Sequence, residues 1–122
     1  MIQIATSLFT IIIAATILFQ ICVIAGAPWG RFTQGGQHAG KLPIGNRIAA
    51  GVSILRLLAM AAAMLSAGGF WPNWPVWTGW ALLVLQVLST IMNWITPSKQ
   101  ERRIWGPITT LMLILVVIVL FA

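Results

Sequence analysis

The sequence predicts an all-α integral membrane protein, four transmembrane helices in a compact antiparallel bundle. Three observations predict it. First, 60% of the 122 residues are hydrophobic and 7% are charged, against about 25% charged in a soluble domain. Second, the apolar residues fall into long runs, and about 20 consecutive apolar residues are what a helix needs to cross a bilayer. Third, the runs do not alternate and are longer than barrel strands. Lipid accepts only helices or closed barrels, because every backbone N–H and C=O must be paired internally.

The first span covers about residues 2–26, "IQIATSLFTIIIAATILFQICVIAG". No basic segment precedes it, and it is too long for the apolar core of a signal peptide, so it is expected to be retained. Cys22 within it is the only cysteine of the chain. One thiol makes no intramolecular disulfide and no metal cage, and it reads as a small buried hydrophobe. The second span covers about 48–68, the third 76–96 and the fourth 104–121. The fourth has a recognisable start. In "SKQE", Ser98 is placed as N-cap and Glu101, the only acidic residue, as the third helical residue of a capping box, with Arg102 and Arg103 as local charge partners. Pro107, after Gly106, is expected to kink the helix or restart it. The remainder, "LMLILVVIVLF", is wholly apolar and is expected to face lipid more than any other span.

The connections set the topology. The first holds Arg31, Lys41 and Arg47; the third, "PSKQERR", holds Lys99, Arg102 and Arg103; the second, "AGGFWPNWPVW", holds no charge. The positive-inside rule puts the two basic connections (27–47 and 97–103) in the cytoplasm and both termini outside, in a bacterial inner membrane. Trp71, Trp74, Trp77 and Trp80 then cluster at the outer level, and Trp29, Trp94 and Trp105 lie near the inner one. Indole favours the headgroup level, where its ring is half buried and its N–H is wet; a tryptophan cluster can also stack on a ligand or hold a cation. Pro72 and Pro75 make "WPNWP" a stiff, extended turn. The net charge of +6 does not point to nucleic acid, because six basic residues spread over short loops and a seventh inside a span form no groove-sized patch. The partners expected are the bilayer, with anionic lipids at the basic loops, and further copies of the chain in a homodimer or other homo-oligomer.

Polar residues inside the spans fall on stripes. At about 100° per residue, Gln3, Thr6, Thr10, Thr16 and Gln20 share one arc of the first span, and Gly79, Gln86, Thr90 and Asn93 a narrow stripe of the third. Arg56 shares its face of the second span with Ala49, Val52, Ser53, Ala59, Met60, Ala63 and Ala67, small residues that let helices approach closely. The three stripes are expected to turn inward, with the guanidinium near the level of Gln20, Thr90 and Asn93.

Arg56 is the residue on which function is expected to turn. An intramembrane arginine costs roughly 2.5–3.5 kcal/mol on insertion scales, and no span here contains an acid. Its charge can be met by a wet vestibule with Gln20 and Asn93, by an anion or lipid phosphate, or by Glu101 or a partner chain. The candidate ligand-binding residues are therefore Arg56, Gln20, Gln86, Thr90 and Asn93, joined by Arg31, His38 and Lys41 of the glycine-rich first connection. That connection, "GAPWGRFTQGGQHAGKLPIGNR", matches neither a Walker P-loop nor a dinucleotide fingerprint. It is either a solvated connector or a segment folded back to cap the vestibule under Arg56; its Trp29, Phe32, Leu42 and Ile44 favour an ordered segment. His38 is the only histidine, and reads as a solvated loop residue or as the base of a lipid-handling enzyme. No Ser/His/Asp set, carboxylate pair or metal-ligand cluster is present, so no catalytic residue, metal or cofactor is expected.

The run "GAPWGRFTQGGQHAGKLP" before an arginine-bearing helix, with "NWITPSKQERRIWGP", resembles a group of small bacterial four-span membrane proteins to which no activity is attached. Small multidrug transporters and fluoride channels are similar only in size: the membrane-embedded glutamate of the first and the glycine-rich and Phe/Thr/Ser motifs of the second are missing here. The expected function is transport or ligand binding in an inward-facing polar cavity that takes an anionic or polar solute or a lipid headgroup. An accessory subunit of a larger membrane complex and a lipid-modifying enzyme are the alternatives.

Overall fold

The computed structural model describes residues 1–33 and 40–122, Arg31 by its backbone alone. Four helices carry most of the chain: α1 (Ile2–Ile24), α2 (Ile44–Ala67), α3 (Trp77–Ile95) and α4 (Lys99–Phe121), with a 3-10 turn at Gly30–Phe32 between α1 and α2. All four are long and apolar enough to cross a membrane. They pack as a four-helix bundle. α1 lies along α2, α3 lies along α4, and α4 also lies along α1; the α2–α3 seam is the thinnest of the ring. The bundle therefore has a basic end, where the first and third connections meet, and a neutral, tryptophan-rich end.

Two helices begin earlier than their apolar runs. α2 starts at Ile44 because the Pro43 carbonyl already accepts from Asn46 and Arg47 N–H at 3.1 and 3.0 Å, which launches the helix before the first membrane-depth residue. α4 starts at Lys99, where the Ser98 hydroxyl accepts from Glu101 N–H at 3.2 Å. Half of the expected capping box thus forms; the Ser98 N–H turns instead to Thr96 Oγ1, at 3.4 Å. Pro107 does not restart α4, which runs unbroken through it. Proline cannot donate to the carbonyl one turn back, but hydroxyls crowd this turn: Thr109 donates to Trp105 O at 2.6 Å and Thr110 to Gly106 O at 2.8 Å.

Glycine ends α1 and α2 in the same way. Gly26 has φ +105° and Gly69 φ +87°. Gly26 N–H reaches Val23 O and Ala27 N–H reaches Cys22 O; Gly69 N–H reaches Ser66 O and Phe70 N–H reaches Leu65 O. These are paired Schellman bonds, and the left-handed residue they need has no Cβ penalty only as glycine.

The core joins Phe9 and Ile13 of α1, Leu57, Met60 and Met64 of α2, Leu82 of α3 and Met112, Leu115, Val116 and Val119 of α4. α4 is thus not the most lipid-exposed helix: a larger share of its apolar window is buried than in α1 or α3. Its aliphatic run has no polar–apolar contrast, so nothing in the sequence told its buried face from its outer one. Large aliphatic side chains such as Ile11, Leu55, Ile91 and Ile114 stand exposed around the bundle, as lipid-facing positions must when lipid is the solvent.

Candidate functional site

The basic half of the bundle encloses a cavity of about 530 Å³. α1 contributes Thr16, Phe19 and Gln20; α2 contributes Ser53, Arg56, Leu57 and Met60; α3 contributes Gln86, Ser89, Met92 and Asn93; α4 contributes Glu101, Trp105, Thr109 and Met112. Four of the five candidate ligand-binding residues within the spans, Arg56, Gln20, Gln86 and Asn93, therefore line one space. The fifth, Thr90, stands behind the wall. It is buried, and its hydroxyl donates to Gln86 O at 2.8 Å and across the interface to Thr109 O at 3.1 Å, so it ties α3 to α4.

Not every stripe turns inward. Gln3 is exposed, Thr10 and Thr16 donate back to Thr6 O and Ile12 O of their own helix, and only Thr16 and Gln20 of that arc reach the cavity. On α2 the buried face runs through Ala50, Leu57, Met60 and Met64. Arg56 lies to one side of it and is exposed, together with Ala49, Val52 and Ala59. The opposite lip, on α3, is formed by Leu88 and Met92, which line the cavity yet are 53% and 64% exposed. The cavity therefore opens sideways through the thin α2–α3 seam, with Arg56 at its lip. Because α2 begins at Ile44, Arg56 sits about 18 Å along the axis from its start at 1.5 Å per residue, near the middle of the helix.

Part of the first connection closes the basic end. Phe32 and Thr33 line the cavity floor, and Trp105 Nε1–H donates to Phe32 O at 2.8 Å. Phe19 is wedged between Trp29, stacked at 5.8 Å, and Trp105, edge-on at 5.1 Å. The tryptophans expected at the inner belt thus also pin the loop. Trp94 has its own tie, donating to Thr110 Oγ1 at 2.8 Å. Of the loop's candidate ligands, His38 lies outside the described residues, as does the side chain of Arg31. Lys41 is exposed and away from the cavity. Its chain lies over Gly26 with the Arg47 guanidinium, beside the carbonyl end of α1, where positive charge is favoured. Arg47 also donates to Leu42 O at 3.0 Å.

The cavity's polar groups differ in how they are met. Glu101 is buried at 8% exposure and forms part of the wall; its N–H is capped by Ser98, and Arg102 turns away to donate to Thr96 O at 2.6 Å. Gln86 is 1% exposed, and its Nε2–H donates to Thr109 O at 3.1 Å. That bond fixes the amide's orientation, since a carbonyl can only accept. Its Oε1, and that of Gln20, are buried and have no hydrogen-bond partner among the described residues. Arg56 likewise makes no hydrogen bond or ion pair among them. Among the described residues, three that line the same cavity thus carry an unmatched group: the Arg56 guanidinium and the buried amide oxygens of Gln20 and Gln86.

Helical projection missed Glu101, Trp105 and Thr109 as cavity residues. The signal was there: with Met112 they recur every three or four residues along one face of α4. Glu101 was read as a cap with local charge partners, or as one of three ways to meet the Arg56 charge, but not as part of a cavity wall with Trp105 and Thr109.

Fold and cavity define the chain as an all-α, four-span membrane protein. Beyond that class, no protein-family model, curated protein or solved structure matches it, and the likeness of its two basic connections to small four-span proteins is tied to no identified family.

Proposed function

We propose that this protein binds a small polar or anionic solute, or a lipid headgroup, in the cavity of its basic half, and moves or presents it across the membrane. The observation that supports this best is Arg56, a mid-helix guanidinium at the lip of a cavity of about 530 Å³ shared with Gln20, Gln86 and Asn93. A cation at membrane depth is stabilised by an anion or by water, and an open polar cavity supplies room for either. By the positive-inside rule the basic end faces the cytoplasm, so the cavity is inward-facing and both termini lie outside. The side opening suits an occupant that arrives from the bilayer as well as one from water. Further copies of the chain would complete the wall at the α2–α3 seam. The test is flux or binding in proteoliposomes. Arg56→Ala abolishes it while the helical content and thermal transition of the protein survive; unchanged flux in a folded Arg56→Ala protein ends this reading.

A second reading, an accessory subunit of a larger membrane complex, draws on α2. Ala49, Val52 and Ala59 are exposed, and small residues let another helix approach closely. It predicts stable co-purification of a different protein from native membranes, lost on Ala59→Leu.

A further inference from the structure

We propose that the occupant of this cavity is a zwitterion, one that presents an anionic group to Arg56 and an N–H donor, such as a primary ammonium, to the amide oxygens of Gln20 and Gln86. This deepens the binding function proposed above and rests on it. The argument begins with what the wall lacks. A buried acceptor without a donor is costly, and native proteins leave few of them. Here two occur among the described residues on side chains that line one cavity.

The orientation of the Gln86 amide is not arbitrary. Gln86 is 1% exposed, and its Nε2–H is committed to Thr109 O at 3.1 Å. Turning the amide over would set a carbonyl oxygen against a carbonyl oxygen, so the acceptor must face away from α4. A purely anionic ligand would answer Arg56 but be repelled by the fixed Gln86 oxygen. A purely cationic ligand would fail at Arg56. A molecule with both charges satisfies both walls.

The chemistry is shared by a free phosphoryl amine and by an amine-bearing lipid headgroup, so the test has two arms. In detergent, O-phosphoethanolamine is compared with ethyl phosphate, which lacks the ammonium, by calorimetry on wild type, Gln20→Leu, Gln86→Leu and Arg56→Ala. Wild type is expected to bind phosphoethanolamine about tenfold or more tightly than ethyl phosphate, as expected when a buried acceptor gains a donor. Each Gln→Leu variant should bring the two affinities within about twofold by weakening phosphoethanolamine alone. Gln20→Glu keeps the acceptors, adds charge and should widen the preference, which guards against a variant that merely misfolds. In the second arm, nanodiscs of mixed phosphatidylethanolamine and phosphatidylglycerol are dissolved gently, and retained lipid is read by native mass spectrometry. Selective retention of phosphatidylethanolamine, lost in Gln20→Leu, assigns the zwitterion to a lipid; selectivity in the first arm alone assigns it to a free solute.

Equal affinities in the first arm together with no lipid preference in the second overturn the inference, as does a preference that survives both Gln→Leu changes. If in that case Arg56→Ala still removes ethyl phosphate binding, the proposed anion-binding cavity stands and only its zwitterion specificity fails. If Arg56→Ala changes nothing in either arm, both fail together.

Discussion

Replacing Gln86 by leucine separates a binding residue from a structural one, because the two roles predict opposite signs for stability. The side chain is 1% exposed and makes one bond, Nε2–H to Thr109 O at 3.1 Å. Interhelical hydrogen bonds of this kind average about 0.6 kcal/mol in a membrane, with larger cases near 1.7. The Thr109 carbonyl would not be abandoned, since Thr90 Oγ1 also donates to it at 3.1 Å. Against that loss stands the removal of Oε1, a buried acceptor with no partner among the described residues. An unmet buried acceptor costs about 1–3 kcal/mol, and leucine is close to glutamine in volume. The balance favours the variant by about 0.5–2 kcal/mol in the ligand-free protein. The assay is reversible unfolding in mixed micelles, followed by far-UV circular dichroism, on ligand-stripped wild type and Gln86→Leu. A variant more stable than wild type that has lost the preference for phosphoethanolamine over ethyl phosphate is the result expected of a site that sacrifices stability for function. A variant destabilised by more than about 1 kcal/mol would refute the reasoning, for it would show that Oε1 is satisfied and that Gln86 is a tie between helices.

Three further outcomes are expected. A Cβ on Gly68 would fall inside van der Waals contact of Thr6 Oγ1 and 3.0 Å from Thr6 Cγ2, and a buried threonine has little room to turn; Gly68→Ala should destabilise by about 1–3 kcal/mol, with Thr6→Ala in the same chain restoring most of it in the same unfolding assay. Ser98→Ala removes the bond to Glu101 N–H and should lower stability by about 1 kcal/mol, while Ser98→Asp should be near neutral. Trp105→Phe keeps a ring against Phe19 but loses the donor to Phe32 O; hydrogen exchange at Phe32 and Thr33 should quicken, with a global cost of about 0.5–1.5 kcal/mol.

The four spans were legible because lipid leaves so few alternatives. Once about 20 apolar residues run together, backbone pairing dictates a helix. The inward stripe of α3 was legible for a related reason: Gly79, Gln86 and Thr90 stand out against aliphatic neighbours, and all three are buried. Where that contrast vanished, so did the information. The aliphatic half of α4 gave no hint that Leu115, Val116 and Val119 face the core. The first turns of α2 and α4 carry Asn46, Arg47, Lys99 and Arg102, so a hydropathy limit cuts them off although Pro43 and Ser98 already launch the helices. Arg56 was expected to turn inward with its whole stripe, but it stands exposed beside the buried face of α2. Its neighbours Ala49, Val52 and Ala59 are small enough to pack and apolar enough to meet lipid, and their spacing does not distinguish the two. The bond between the floor residue Phe32 and Trp105 joins positions more than 70 apart in sequence, a contact that no local pattern encodes.

The central claim is that Arg56 holds an occupant in the cavity it shares with Gln20 and Gln86. Native mass spectrometry of the protein released gently from its own membranes, wild type beside Arg56→Ala, tests it most directly. A polar or anionic molecule retained by wild type and missing from a folded Arg56→Ala protein is the expected result, and the same spectra report the number of chains. A wild-type protein that emerges bare, or one whose bound molecule survives the substitution, would contradict it.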